Sequence, residues 1–402
     1  MAAESTTRRS LRAGAAPAKT VGRGTFTALT SEICRDPVRF GSLAAEWNAL
    51  HRRSGAATPF QSHAWLHSWW LSYGAPGRLR VVLLRRDGVL VGAAPLMLVH
   101  RPFPVLVQLG GSISDFSDVL LDDECADSAA PALAKALANA ARTAVVDLRE
   151  VRPGAAVERV YECWDGPRDT LTDSPCLELP AVPMDELLGR LSSARAQRVR
   201  AKIRKIDSAG VEEREVPGDE IPTAVERLLH LHRLQWQGRG VTQEHLSARF
   251  AGHLTRSVRA MVECGDARVT EFLLGGEVVA ADLTLMSPRL AGGYLYGADP
   301  VLRDRKVDVA TMLLRESARR ISADGRSTLS MLRGNEPYKH HWRPETVCNR
   351  RLLMARPMLA ASLRLVAAHA AARGRAAVLV NERLPAMKAG LAKRTRRGGG
   401  KE

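Results

Sequence analysis

The densest set of chemically capable side chains in the sequence is the run Leu332-Arg333-Gly334-Asn335-Glu336-Pro337-Tyr338-Lys339-His340-His341-Trp342. A carboxylate there is a candidate general base. A phenol with a pKa of about 10 can hand over a proton while remaining neutral. Arg and Lys bind carboxylates or phosphates, Arg in bidentate fashion. The run follows directly on a short apolar segment, and a strand that ends in such a set is usually presenting a site, because the rigid element holds the loop side chains in place. The plainer alternative is a buried Tyr and Trp ringed by solvated charge.

The surrounding sequence holds one pattern twice. Val81–Leu84 and Val89–Leu98 flank Arg86-Asp87-Gly88, and Val269–Leu274 and Glu277–Met286 flank Gly275-Gly276. Two apolar runs around such a turn predict a β-hairpin. Laid over one another, residues 79–98 and 267–286 match Arg80 with Arg268, Val81 with Val269, Gly88 with Gly276, Val91 with Val279 and Ala93 with Ala281. Each hairpin leads to a Gly-containing strand end, then a helix (129–142 and 309–321) and a further strand (Val145–Arg149 and Leu329–Arg333). The fold class is therefore mixed α/β, built by duplication; a chance match of two generic hairpins is the alternative. Tyr294 and Tyr296 alternate with Leu295, which places both on one side of their strand. Asp282 lies mid-strand among apolar residues, where a carboxylate either faces outward or serves a function.

Between the halves, Arg198, Lys202 and Lys205 recur at helical spacing on one side, and Val199, Ile203 and Ile206 on another. Gly210 suits the C-terminal cap. The basic face is either solvated or gathers a phosphate or an anionic acceptor. A second helix starts near Pro222 and runs towards Trp236.

At 402 residues the chain exceeds one ordinary core. It divides into a basic tail over 1–28, domains over 29–180 and 181–355, and a partly helical basic tail over 356–402. The net charge of +16 favours anionic partners, or else reflects an Arg- and Ala-rich composition. Six scattered cysteines without a Cys-x-x-Cys pair argue against a structural metal or a disulfide framework and fit a reducing cytoplasm. No apolar stretch follows Arg8-Arg9, and no window reaches the roughly 18 apolar residues of a membrane span. The expectation is a soluble cytoplasmic protein without a metal, whose basic end (Lys393–Gly400) can touch an acidic membrane surface.

The run 332–342 resembles the Leu-Arg-Gly-(Asp/Asn)-Glu-Pro-Tyr-Lys-x-x-Trp signature of GNAT-fold acyltransferases of the CelD/BcsL type, which are associated with cellulose and extracellular polysaccharide biosynthesis and related to the Fem-like peptidoglycan aminoacyl transferases. Pro59-Phe60-Gln61 followed by Trp65 looks like an early motif of the same family, although Trp65 and Trp69, four apart, read first as a core-facing stripe. The resemblance covers about residues 35–355. It implies tandem GNAT-like domains with a cleft between or beside them, and transfer of an acyl group from acetyl-coenzyme A, or another acyl-coenzyme A, to an amine. On that reading Glu336 strips the amine's proton, Tyr338 protonates the departing thiolate, and Lys339 completes the catalytic set. Arg333 binds a substrate anion, and Trp342, Tyr296, Asp115 and Asp118 line the acceptor side. Asp115 and Asp118 serve equally well as turn and capping residues.

One departure from the family concerns the donor. The cofactor's pyrophosphate needs backbone amides at a helix start, and relatives place a Gly-rich turn there. This chain has Leu302-Arg303-Asp304-Arg305-Lys306-Val307-Asp308-Val309. Arg303, Arg305 and Lys306 are the candidate cofactor contacts, but without Gly the backbone approaches a phosphate less easily. The expected function is N-acyltransfer to a small amine or amino sugar in polysaccharide or cell-envelope biosynthesis, with no DNA partner. Two alternatives stand beside it. One is Fem-type aminoacyl transfer from charged tRNA, favoured by the basic helix. The other is a non-catalytic scaffold of a polysaccharide pathway, favoured by the Gly-free loop.

Overall fold

Apolar runs separated by Gly- and Asp-containing turns become strands, and thirteen of them join one sheet. They are β1 (Leu29–Cys34), β2 (Leu79–Arg86), β3 (Val89–His100), β4 (Pro104–Gln108), β5 (Leu120–Leu121), β6 (Val145–Val151), β7 (Arg168–Pro180), β8 (Val211–Glu215), β9 (Ala267–Leu274), β10 (Glu277–Met286), β11 (Leu290–Ala298), β12 (Thr328–Arg333) and β13 (Glu345–Met354). The structure, a computed structural model, describes residues 28–100, 102–237 and 242–375. The sequence readings on the N-terminal tail and on the basic end at 393–400 fall outside the described residues.

The strand order is β1-β2-β3-β4-β6-β13-β7-β12-β11-β10-β9-β8, with β5 beside β3. Read from its two edges, the sheet is one arrangement used twice. In each half an antiparallel meander ends in a parallel step, β4 to β6 or β11 to β12. A parallel step needs a crossover, and the helices Ala126–Ala140 and Val309–Ala323 supply it. The hairpin turns also agree. Asp87 and Gly88 have φ of 51° and 80°, and Gly275 and Gly276 have 61° and 86°, the left-handed pair that matches strand twist in a two-residue loop.

A finer irregularity supports duplication. Leu84 pairs with Gly92 and Arg85 with Leu90, so Val91 bulges out; Phe272 pairs with Ala280 and Leu273 with Val278, so Val279 does. Val91 and Val279 are the residues aligned from sequence. A bulge re-aims a strand locally, and its recurrence at one aligned position is hard to ascribe to two generic hairpins.

The halves exchange their last strands. β13, from the second half, lies against β6 of the first, and β7, from the first half, lies against β12 of the second. The two also pair with each other, from Glu345 opposite Glu178 to Met354 opposite Arg168. A boundary at residue 180 therefore divides the sequence but not the sheet.

One face of the sheet carries a core common to both halves. There Trp65 and Trp69 of the helix His63–Tyr73 join Phe250, Leu254 and Val258 of the helix Ala248–Glu263 in one buried cluster. The other face is covered half by half. Leu133 and Leu137 of Ala126–Ala140 cover the first half, and Val199, Ile206, Met312 and Ile321 of the helices Ser193–Ser208 and Val309–Ala323 cover the second. The helix with Pro222 in its first turn runs Ile221–Trp236, as its sequence predicts.

Candidate active site

β6 and β12 each contain a left-handed non-Gly residue near their C-terminal ends, Glu150 at φ 55° and Leu332 at φ 58°. Such backbone costs about 1–3 kcal/mol and persists only where its surroundings enforce it. Here the surroundings are an ion-pair network. Arg333 donates from Nε to Asp115 Oδ1 at 2.6 Å, from one terminal nitrogen to Glu150 Oε1 at 3.0 Å, and from the other to the Ser112 carbonyl at 2.9 Å. Glu150 also accepts from Ser174 Oγ at 2.8 Å and Asn349 Nδ2 at 3.0 Å, side chains of the exchanged strands β7 and β13. Burial works against the guanidinium's charge, yet Asp115 and Glu150 hold its pKa above the ordinary Arg value. Arg333, expected to bind a substrate anion, instead clamps the end of β12 to the first half, and Asp115 is one jaw of that clamp.

The rest of the run is locked from beneath. Lys339 is buried, and its Nζ lies 2.9 Å from the Arg333 carbonyl and 2.8 Å from Glu336 Oε2. Glu336 is half exposed and already paired, which suits a positioning carboxylate better than a base. Trp342 is buried in the cluster with Leu187 and Leu188, so it is core rather than a substrate contact. Asp118 is spent on structure as well: it accepts from the amides of Val119, Ala156 and Val157 at 2.7, 2.9 and 2.8 Å. Tyr338 remains 41% exposed. Partial burial, with Tyr296 and Glu336 nearby, raises the pKa of its phenol, so it stays protonated.

The expectation that Tyr294 and Tyr296 share a side does not hold. Leu283 pairs with Leu295 and Thr284 with Gly293, leaving Tyr294 as a bulge. The extra residue breaks the alternation. Tyr294 packs with Phe60 and Trp65 in the common core and donates to the Ile113 carbonyl at 2.8 Å. Tyr296 turns to the opposite face, among Val279 and Met312.

The residue absent from the expected site is Asp282. Sequence marked it only as a carboxylate in an apolar strand. It lies directly across from Tyr296 on β10 and β11, and opposed residues of an antiparallel pair share a face. Its Oδ1 is 3.6 Å from where a Cβ on Gly293 would sit. Gly293 is exposed because β11 and β12 are bonded only from Leu290–Thr328 to Gly292–Ser330 and then part. Asp282 thus borders the gap between two splayed strands. Thr284 Oγ1 donates to it at 2.9 Å. Burial, with Glu316 adding to it, pushes its carboxyl up to about 7.

The donor loop is less accommodating. Arg303, Arg305 and Lys306 are exposed, and Lys306 sits at φ 58°. Asp308 caps the following helix, accepting from the Thr311 amide at 2.9 Å and pairing with Lys202 Nζ at 2.7 Å. A pyrophosphate at that helix start would have to displace a carboxylate. Beside it, Arg198, Arg200, Arg204 and Lys205 of the helix Ser193–Ser208 are exposed. Among the described residues no group of His, Cys, Asp and Glu could hold a metal ion, and no helix is long and apolar enough to cross a membrane.

Residues 193–340 match the family described as Acetyltransferase (GNAT) domain. The second half carries a GNAT acyltransferase domain. The match runs from the basic helix through the splayed strands into the signature run, which marks this protein as an acyltransferase enzyme with a mixed α/β, tandem GNAT-like fold. No curated protein sequence matches the chain. Among solved structures it is similar to FemX, at 12% identity over 77% of this chain and 95% of that one, with a TM-score of 0.57. It is also similar to the C-terminal domain of a putative lysylphosphatidylglycerol synthetase from Agrobacterium fabrum, at 11% identity over 83% and 97%, with a TM-score of 0.53. L-PGS from Bacillus licheniformis matches at 11% identity over 80% and 94%, with a TM-score of 0.50. At these identities the likeness is one of fold.

Proposed function

We propose that the protein is an N-acyltransferase that moves an acyl group from an acyl-coenzyme A to the amine of a small molecule or amino sugar, in the polysaccharide-associated branch of the fold that the signature run resembles. The observation that carries this reading is the carboxylate at the gap: Asp282, poised near neutrality, lies across from Tyr296, which in turn neighbours Tyr338, where β11 and β12 part. An ammonium acceptor must lose a proton before it can attack, and Asp282 is the group placed to take it. The amine nitrogen then bonds to the thioester carbonyl carbon, the carbon–sulfur bond breaks, Tyr338 gives its proton to the thiolate, and the proton the nitrogen sheds as the amide forms restores the phenol. Glu336 and Lys339 hold the loop carrying Tyr338, and Arg303, Arg305 and Lys306 meet the donor's phosphates.

A second reading takes the acyl group from charged tRNA. It is favoured by Asp308, which already occupies the helix start a pyrophosphate would use, and by the exposed basic helix beside it. Calorimetric titration with acetyl-coenzyme A separates the two. Binding that weakens steeply between 0.05 and about 0.5 M salt is expected, because exposed charges are screened within about 10 Å at 0.1 M. Changing Arg303 and Arg305 together to Ala should weaken binding and flatten the salt dependence. No binding even at low salt, with charged tRNA retained in a filter-binding assay, would transfer the site to the second reading.

A further inference from the structure

A second cavity, of about 460 Å³, lies at the junction of the halves, and the acyl-transfer chemistry described above makes no use of it. Gly55, Asp123, Arg152 and Arg159 of the first half line it, with Arg289 and Thr328 of the second. Thr328 opens β12, and the lining residue Leu290 opens β11. Tyr296 is further along β11 by six residues, which at about 3.3 Å per residue separates the two places by about 20 Å.

Three guanidinium groups line this cavity against one carboxylate, and their circumstances differ. Arg152 is paired through two nitrogens with the Glu178 carboxylate, at 2.8 and 2.6 Å. Arg159 pairs at 3.0 Å with Asp127, whose side chain is entirely exposed, so water and salt weaken that contact. The Arg289 guanidinium has no ion pair or hydrogen bond among the described residues. Arg289 is an exposed residue, and its guanidinium lies beside Gly55. A Cβ on Gly55 would lie 3.0 Å from the Arg289 guanidinium and 2.7 Å from Asp123 Oδ2, so the two groups flank a glycine without bridging to each other. Asp123 is fixed there by the Gly55 amide at 3.0 Å.

An unpaired guanidinium is an anion receptor, and its planar fork favours phosphate. The carboxylate across from it accepts from hydroxyl or ammonium donors. The volume falls within the range of about 300–1,000 Å³ usual for small-molecule sites and exceeds what a bare phosphate would fill. We propose that this cavity binds a small phosphorylated sugar, with its phosphate on Arg289 and Arg159 and a hydroxyl or amino group on Asp123. The site is distinct from the gap at Asp282 and stands whether the acyl donor is a coenzyme or a charged tRNA.

The test is a calorimetric titration of the full chain with glucosamine 6-phosphate, and separately with glucosamine and with inorganic phosphate. The sugar phosphate should bind with one-to-one stoichiometry and at least tenfold more tightly than either part. Arg289→Ala should weaken it at least tenfold while leaving acetyl-coenzyme A binding unchanged. Arg159→Ala, at an exposed position where the fold is not at stake, should weaken it by a smaller factor. The proposal is overturned if glucosamine 6-phosphate fails to bind at millimolar concentration, if it binds no better than inorganic phosphate, or if binding survives both substitutions. It is equally overturned if changing Arg303 and Arg305 to Ala removes the binding, since the anion would then sit on the donor loop.

Discussion

A single carboxylate, Asp282, carries the chemistry proposed here. Unfolded Asp titrates at about 3.9, whereas burial holds Asp282 at about 7. The folded state therefore binds this proton more tightly. Its contribution to stability is complete below about pH 4 and is lost as pH rises through 7. The same shift sets the rate profile, because the base must be ionised to act. kcat/KM should rise with pH and level off above about 7. Asp282→Asn should lower turnover by about two to four powers of ten and remove that limb. Its melting temperature should also fall less between pH 5 and 8 than that of the wild type. Glu336→Gln is the paired control, expected to leave the limb in place. A wild-type profile in Asp282→Asn, with the limb lost in Glu336→Gln, would return the base role to Glu336.

Among the elements, the donor loop joins strain to function. Lys306 adopts φ 58° in an exposed loop that ends at the Asp308 cap. For a side-chain-bearing residue this costs on the order of 1 kcal/mol. Lys306→Gly should thus raise the melting temperature, and should weaken acetyl-coenzyme A binding if the ammonium meets a phosphate. A stabilised variant with unchanged affinity would remove Lys306 from the donor site. The sequence held the need for a left-handed residue here only as a missing Gly. The hairpins were legible for a local reason: Asp87-Gly88 and Gly275-Gly276 dictate a two-residue turn, and strand alternation shows in neighbouring residues. The partners of β7 and β13 left no local trace, since strands distant in sequence impose no periodicity on each other. Arg333 read as a ligand for the same reason. Its carboxylates, Asp115 and Glu150, come from the other half. The Tyr294 bulge was hidden because one inserted residue reverses every side chain after it without changing composition.

For the whole molecule, the question is whether the two halves are domains or parts of one. Duplication suggests domains, but two features of the structure oppose autonomy. The common core joins Trp65, Trp69 and Leu83 to Phe250, Leu254 and Leu283, and Ser68 Oγ donates to the His253 carbonyl at 2.9 Å across it. The exchanged strands add backbone pairing, since β6 has β13 as its outer neighbour. Cutting the chain between Gly166 and Pro167, just ahead of β7, separates these partners without interrupting a strand. Fragment 1–166 would expose the edge of β6, a template for unwanted strand pairing. Fragment 167–402 would keep β7 through β13 in order but expose the apolar face of the helix Ala248–Glu263. Neither fragment should therefore show cooperative thermal unfolding when made alone. Co-expressed, they should copurify at one-to-one stoichiometry and unfold in one transition, because each supplies the surface the other lacks. If fragment 167–402 alone unfolds cooperatively with native-like circular dichroism, the second half is an independent domain, and the first half is then an attached partner rather than part of its core.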